Sequence, residues 1–179
     1  MSRLIALDPS SRNLGYALFE DDRLRFAGSF GLNGTIGQRC LAAYTYTVGL
    51  LDAWQGTDTI AVESPAGSFL KGLLPQTYVR GSIMLAAAQR GLEVVDVSPT
   101  AAKRCLTGGG KAEKQEMLVH ALDRLGIGAA DIPYCYRKKN GTLWAELNGL
   151  QILSEHGADA VGVGLLLTSD TPSIHSQMH

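Results

Sequence analysis

The order of apolar segments along the chain restricts its fold more than any other feature. Three short runs rich in strand-forming residues come first, at Arg3–Asp8, Leu14–Phe19 and Leu24–Phe30, and turn residues separate them. A segment of helical length, Ile36–Trp54, follows, and strand and helix patterns then alternate as far as Leu167. This order predicts an α/β fold built on one five-stranded mixed sheet, in which an antiparallel meander and parallel strands are flanked by helices.

The later elements are predicted from periodicity and from residues that start or stop helices. They are two strands, Thr59–Glu63 and Leu92–Val97, and three helices, namely Gln76–Arg90, a short helix begun by Ser98 and Pro99, and the amphipathic Lys111–Leu125. A last helix is expected to begin at either Leu150 or Ser154 and to end at Leu167.

Length and composition indicate a single domain. A chain of 179 residues can bury one core, and 45% hydrophobic with 18% charged residues is a globular composition. We expect that domain to span residues 1–168, with a hairpin insertion at 131–153 that turns at Asn140-Gly141. The polar segment 169–179 is expected to be a flexible tail.

Nothing in the sequence predicts a membrane span or a secretion signal, since no run approaches the roughly 20 apolar residues that cross a bilayer. The three cysteines, Cys40, Cys105 and Cys135, are scattered and lack metal-ligand spacing, so we interpret them as small buried hydrophobes in a reducing compartment. We expect a cytoplasmic protein from a bacterium or a phage-infected cell, with an organellar origin left open.

Charge is unevenly placed along a chain whose net charge is only −1. Residues 1–63 carry seven acids and five bases, whereas residues 64–114 carry seven bases and three acids. A second basic group is Arg137-Lys138-Lys139. Such stretches are compatible with a polyanion on one face, and equally with bases scattered over a solvated surface.

Two carboxylates, Asp8 and Glu63, each end an apolar strand and precede a turn. If these strands are parallel and adjacent, the two side chains meet at one edge of the sheet, where a divalent cation would relieve their repulsion. Each acid taken alone is as well explained by a strand end or a surface ion pair. Glu155, His156 and Asp159 open the last helix with spacings that share a face, and they are either surface residues or ligands.

Five motifs in order resemble those of the RuvC-type Holliday-junction resolvases. The family's D-P-G-S-x-x-x-G-Y pattern is similar to Asp8-Pro9-Ser10-Ser11-Arg12-Asn13-Leu14-Gly15-Tyr16, and its second acidic strand to Ala61-Val62-Glu63. The other matches are Arg80-Gly81 with Ala86-Ala87-Ala88, the segment from Lys103 through Gly108-Gly109-Gly110-Lys111-Ala112-Glu113-Lys114, and His156-Gly157-Ala158-Asp159-Ala160.

The resemblance implies an RNase H-like fold, a homodimer and metal-dependent cutting of four-way (Holliday) DNA junctions. It also implies catalytic residues that hold two Mg²⁺ ions per site, with Mn²⁺ as an alternative. The implied metal ligands are Asp8, Glu63, His156 and Asp159, with Lys114 as a further catalytic residue. The bases expected to contact DNA are Arg80, Lys103, Lys111, Lys114, Arg137, Lys138 and Lys139. No small-molecule cofactor is expected.

The chain departs from the family pattern at several positions. His156 stands where the family usually has aspartate, so it is either a ligand better suited to Mn²⁺ or a proton acceptor, and Glu155 is beside it. Ser10 replaces a glycine, and Phe69 is a weak substitute for the family's wedge-like aromatic. The insertion mixes bases with aromatics (Tyr134, Tyr136 and Trp144), which suits DNA contact or a plain surface hairpin.

The expected mechanism is phosphodiester hydrolysis with two cations roughly 4 Å apart. Asp8 would bridge them, Glu63 would hold one, and Asp159 with His156 the other. Symmetric cutting of two strands requires two sites, and the small-residue helix Gln76–Arg90 is the candidate dimer interface. The alternatives are a broader branched-DNA nuclease, a non-catalytic junction-binding module, and an ATPase of the actin and sugar-kinase type, for which the chain is too short.

Overall fold

Five strands form the main sheet, whose order in space is β3-β2-β1-β4-β5. They are β1 (Arg3–Pro9), β2 (Asn13–Glu20), β3 (Arg23–Gly31), β4 (Thr59–Glu63) and β5 (Val94–Val97). The computed structural model describes residues 1–65, 70–127, 135–147 and 150–168. The first three strands pair antiparallel, while β4 runs parallel to both β1 and β5. The predicted meander and its parallel extension are therefore confirmed.

Helices cover both faces of this sheet. They are α1 (Ile36–Ala53), α2 (Leu70–Ala88), α3 (Pro99–Thr107), α4 (Lys114–Arg124) and α5 (Glu155–Leu165). Alternate residues of β1 point to opposite faces: Leu4 and Ala6 pack against the side of α3, α4 and α5, and Ile5 and Leu7 against the side of α1 and α2. The buried core is thus two apolar layers separated by the sheet.

A second, three-stranded antiparallel sheet follows α4 in the chain. Its strands are β6 (Cys135–Lys139), β7 (Thr142–Leu147) and β8 (Leu150–Ser154), in that spatial order. The hairpin turn lies at Asn140 and Gly141, whose φ angles of 51° and 85° are those of a type I′ turn. The expected turn at Asn140-Gly141 is confirmed, but the pattern did not predict β8, and the expected bounds 131–153 fall partly outside the described residues.

Helix boundaries differ from the expectations at several ends. The last helix begins at Glu155, so the start at Leu150 is wrong and the start at Ser154 is right to one residue, because 150–154 pairs with β7. The second helix begins at Leu70, before the expected Gln76, since Pro75 lies inside it instead of marking its start.

The helix expected from Lys111 starts at Lys114, and the preceding α3 ends at Gly108, whose φ of 81° is left-handed. Cys40 and Cys105 are half-buried instead of buried as expected, and Cys105 packs against the core. No helix within the described ranges combines the length and apolar character needed to cross a membrane. Phe69, Tyr134 and the predicted tail lie outside the described residues.

Candidate active site

Asp8 and Glu63 leave the main sheet side by side. Strands β1 and β4 are parallel, and the last paired residues are Leu7 and Val62, so the next residue of each strand is one of the two acids. Asp8 is 4% exposed and Glu63 is half-buried. The sequence-based expectation that these two carboxylates meet at one edge is confirmed.

The first turn of α5 brings His156 and Asp159 to the same edge. Ser154 caps this helix, since its hydroxyl accepts a hydrogen bond from the amide of Gly157 at 3.1 Å. His156 Nδ1 then lies 3.0 Å from Asp8 Oδ2. The approach requires glycine at position 15, because a Cβ there would lie 2.0 Å from the carbonyl oxygen of His156.

Two acids of this cluster, Glu63 and Asp159, have raised pKa values. Burial is the largest cause that raises the pKa of Glu63 from 4.5 to about 9, and the charges of Asp8 and Asp159 and a hydrogen bond with Asp8 add to it. Burial likewise raises the pKa of Asp159 from 3.8 to about 7, with a further rise from Asp8 and opposing effects of His156 and Lys103. Crowded carboxylates of this kind favour a bound cation.

The imidazole of His156 also has a shifted pKa. Burial lowers it, but the hydrogen bond to Asp8 and the negative charges around the ring together outweigh burial, so the pKa is raised. When the imidazole is protonated it forms an ion pair with Asp8, which a divalent cation would replace by coordinating both groups.

Three of the side chains are spaced as metal ligands. One ligand atom each from Asp8, His156 and Asp159 lies within 4.8 Å of the other two. The three groups are therefore close enough together to be candidate ligands of one cation. Glu63 is not one of these three, but its side chain forms a hydrogen bond with Asp8, and the charge of Asp159 also raises its pKa.

Glu155 is beside His156 in sequence but has a different partner. Its side chain is 3% exposed, and Oε2 lies 2.5 Å from Lys114 Nζ. Beyond this ion pair, Oε2 has no hydrogen bond among the described residues. The ammonium group belongs to a side chain that is 63% exposed, so Glu155 anchors Lys114 while the lysine remains accessible.

The bases expected to contact DNA fall into different environments. Lys103 is near the cluster, and its charge therefore lowers the pKa of both Glu63 and Asp159. Arg80 instead forms an ion pair with Asp96 between α2 and β5, and its Nε is buried without a described partner.

The remaining bases are at the surface. Lys111 is exposed in the turn before α4. Lys138 and Lys139 are exposed on β6, where Arg137 Nε pairs with Glu146 at 3.2 Å.

Sequence reasoning missed three polar residues that frame the site. Asn13 Nδ2 lies 3.3 Å from His156 Nε2 and 3.4 Å from Thr142 Oγ1, and so connects the cluster to the second sheet. Ser154 caps the helix that carries His156. A cap signal was readable at Ser154, but no local pattern could relate Thr142 to a residue 129 positions earlier.

Comparison with known proteins shows the family to which the chain belongs. A family model for crossover junction endodeoxyribonuclease RuvC matches residues 4–130. The chain belongs to the RuvC family. The RuvC of Dehalococcoides mccartyi is 32% identical over 138 residues, which cover 73% of this chain and 82% of that protein. The RuvC of Akkermansia muciniphila is 32% identical over 133 residues, covering 67% and 77% respectively.

Solved RuvC structures share the fold. Thermus thermophilus RuvC superposes with a TM-score of 0.66 at 20% identity over 92% of each chain. The structure of T. thermophilus RuvC in complex with a Holliday junction substrate gives 0.67 at 17% identity, over 93% of this chain and 92% of that one. The predicted RNase H-like fold is confirmed.

The bounds of the RuvC match show which parts of the chain lie inside it and which lie outside it. It includes Asp8, Glu63 and Lys114 but ends before the second sheet and α5. Within it, Ser10 replaces the glycine of the RuvC pattern without strain. Its φ is not positive, and its hydroxyl accepts a hydrogen bond from the amide of Asn13 at 2.9 Å, so the side chain closes the turn after β1.

Proposed function

We propose that this RuvC-family protein is a metal-dependent endodeoxyribonuclease that resolves four-way DNA junctions in recombination and repair. The observation that carries the proposal is the close trio Asp8, His156 and Asp159, with Glu63 hydrogen-bonded to Asp8. A buried acidic cluster would repel DNA phosphates unless cations were bound. The cluster therefore favours catalysis over a purely DNA-binding role.

In this proposal the site takes two Mg²⁺ ions, with Mn²⁺ able to replace them because one donor is imidazole. Asp8 would be a ligand of both ions, Glu63 would hold one, and His156 and Asp159 would hold the other. Bound cations of this kind supply an activated water and stabilise charge on the phosphate and the leaving oxygen. The protein's part is to hold four side chains on rigid elements, the ends of β1 and β4 and the first turn of α5.

Two lysines complete the site in this proposal. Lys103, on α3, offsets part of the negative charge of the cluster, since its ammonium group lowers the pKa of Glu63. Lys114, fixed by Glu155 and largely exposed, is placed to contact a phosphate of the bound strand.

We also propose that the protein acts as a homodimer, because paired cuts in two strands of a junction need two sites related by a twofold axis. The surface that fits this role lies on α1 and α2. Its exposed apolar residues include Leu41 on α1 and Leu74, Tyr78 and Leu85 on α2. A shallow, mainly apolar depression of about 520 Å³ lies between the two helices.

Replacing Asp8 by Asn tests the catalytic proposal. The variant should bind a four-way junction as the wild type does but cut it at least about 100-fold more slowly, since a shared ligand is lost. Gel assays with labelled four-way, three-way and linear DNA, with and without Mg²⁺, measure both properties. Asp123→Asn, an exposed acid on α4, is the matched control and should cut normally.

The outcomes separate the competing functions. Undiminished cutting by Asp8→Asn contradicts the site, and junction binding without cutting by the wild type in Mg²⁺ indicates a non-catalytic module. Equal cutting of three-way and four-way DNA indicates a broader branched-DNA nuclease.

A further inference from the structure

A groove of about 580 Å³ separates the second sheet from the turn that follows β1. We call it the hairpin groove. Its walls include Arg12 and Asn33 from the main sheet side and Lys139, Asn140, Trp144 and Gln151 from the second sheet. One wall is thus built from a segment that follows the RuvC match, which ends at residue 130.

The walls of the hairpin groove are basic and rich in amides. Arg12 and Lys139 are exposed, and no carboxylate is among the described residues that line it. Amide side chains both donate and accept hydrogen bonds, as the edges of nucleic-acid bases do. The volume is in the range of clefts that hold one small molecule, so it suits a short length of single strand better than a duplex.

Trp144 is on the polar face of the second sheet. Its neighbours Leu143 and Ala145 pack against the apolar core, and strand alternation turns Trp144 to the opposite face. Thr142, which pairs with Lys139 across the hairpin, shares that face. A half-buried indole on the wall of a basic groove is a stacking platform for a base.

The hairpin groove is adjacent to the catalytic cluster. Asn13 lines the groove, and its amide nitrogen is within 3.4 Å of both Thr142 on β7 and His156 in the cluster. A DNA strand whose phosphate lay on the cluster would therefore have the groove beside its next nucleotides.

We infer that the hairpin groove binds the DNA strand beside the scissile phosphate, with Arg12 and Lys139 on its backbone and Trp144 stacked on a base. The inference rests on the proposed nuclease function and adds to it a binding surface that the insertion supplies. By this assignment the second sheet holds the strand to be cut.

Two adjacent lysines provide a matched comparison. Lys139 pairs with Thr142 on the groove face, whereas Lys138 pairs with Leu143 and belongs to the opposite face. Both are exposed, so replacing either should leave folding intact. The RuvC resemblance implied DNA contacts for both lysines, whereas the inference keeps Lys139 and leaves Lys138 out.

The test uses the full chain with Asp8→Asn, so that the junction stays uncut. A four-way junction carries 2-aminopurine at the nucleotide on either side of the mapped cleavage point. Combined with Asp8→Asn, Trp144→Ala should abolish the quenching of 2-aminopurine fluorescence and weaken junction binding about tenfold. Trp144→Phe should retain most of the quenching and most of the affinity. Lys139→Ala should weaken binding several-fold and lower the slope of log affinity against log salt by about 1, and Lys138→Ala should stay within about twofold.

The results distinguish the groove from the wider function. If wild-type protein cuts the junction but both Lys139→Ala and Trp144→Ala bind it within about twofold, the groove assignment is overturned and the nuclease stands. If Lys138→Ala weakens binding as much as Lys139→Ala, the assignment of the two lysines to opposite faces of the second sheet is wrong. If the wild type neither binds nor cuts the junction, both proposals fall.

Discussion

The two adjacent side chains at the start of α5 contact different partners. His156 is directed to Asp8, with a 3.0 Å contact, while Glu155 is buried against Lys114 at 2.5 Å. Consecutive helical residues point about 100° apart, which is why one joins the acidic cluster and the other anchors a base. Sequence alone left open which of the two completes the site, since both are suitable ligands.

We predict that His156→Ala slows cutting by about 100-fold or more, because a group in direct contact with Asp8 is lost. Glu155→Gln, which keeps the buried volume, should slow it less than about tenfold by loosening Lys114. Single-turnover cleavage in Mg²⁺ and in Mn²⁺ measures both, with thermal melts as the folding control. A larger loss for Glu155→Gln, or clearly weaker activity of the wild type in Mn²⁺ than in Mg²⁺, would contradict ligation by His156.

The sequence predicted the position of a site residue correctly where that residue stands at the end of a strand. Asp8 and Glu63 follow paired residues of parallel strands, so their meeting follows from topology. The contacts of Asn13 with Thr142 and of Glu155 with Lys114 depend on side chains brought together by tertiary packing, which no local spacing encodes.

Elements with clear periodicity or clear caps were predicted well, and those that depend on a partner were not. The capping residue Ser98 and the Asn140-Gly141 turn were both right, because cap and turn chemistry is local. Strand β8 was missed, because its apolar residues fit either a strand edge or a helix start until β7 pairs with it. Helix α5 packs closely through Gly157 and Gly164, where a Cβ would collide with Leu153 and Phe19.

At the scale of α2, we predict that the exposed apolar face mediates dimer formation. Leu85→Glu should convert a dimer into a monomer, since it places a charge at the centre of an apolar interface. Light scattering coupled to size-exclusion chromatography measures the mass. Leu150→Glu, an exposed leucine on β8, is the control and should remain dimeric. A monomeric wild type, or a dimeric Leu85→Glu, would show that this face is not the interface.

The concentration of acids at one partly buried site affects the stability of the whole molecule. Without metal, the folded protein keeps protons on Glu63 and Asp159 up to pKa values of about 9 and about 7, whereas the ordinary values are 4.5 and 3.8. Between these limits the folded state binds more protons than the unfolded state. The free energy of unfolding therefore falls as the pH rises.

We predict that the metal-free protein melts on the order of 10 °C lower at pH 9 than at pH 6, because ionising the two half-buried acids destabilises the fold. Mg²⁺ should raise the Tm more at pH 9, since the cation competes with protons for the same oxygens. Glu63→Gln should flatten the pH dependence, and Glu93→Gln, an exposed control, should not. A Tm that is independent of pH in chelator would contradict the buried-acid account.

The direct passage from β8 into α5 has a consequence for how this protein can change. Ser154 is at once the last residue of the second sheet and the cap of the helix that carries His156 and Asp159. Because no loop separates the strand from the helix, a shift of β8 along β7 would move the cap and the first helical turn with it. A change in the second sheet is therefore transmitted directly to the position of the imidazole beside Asp8.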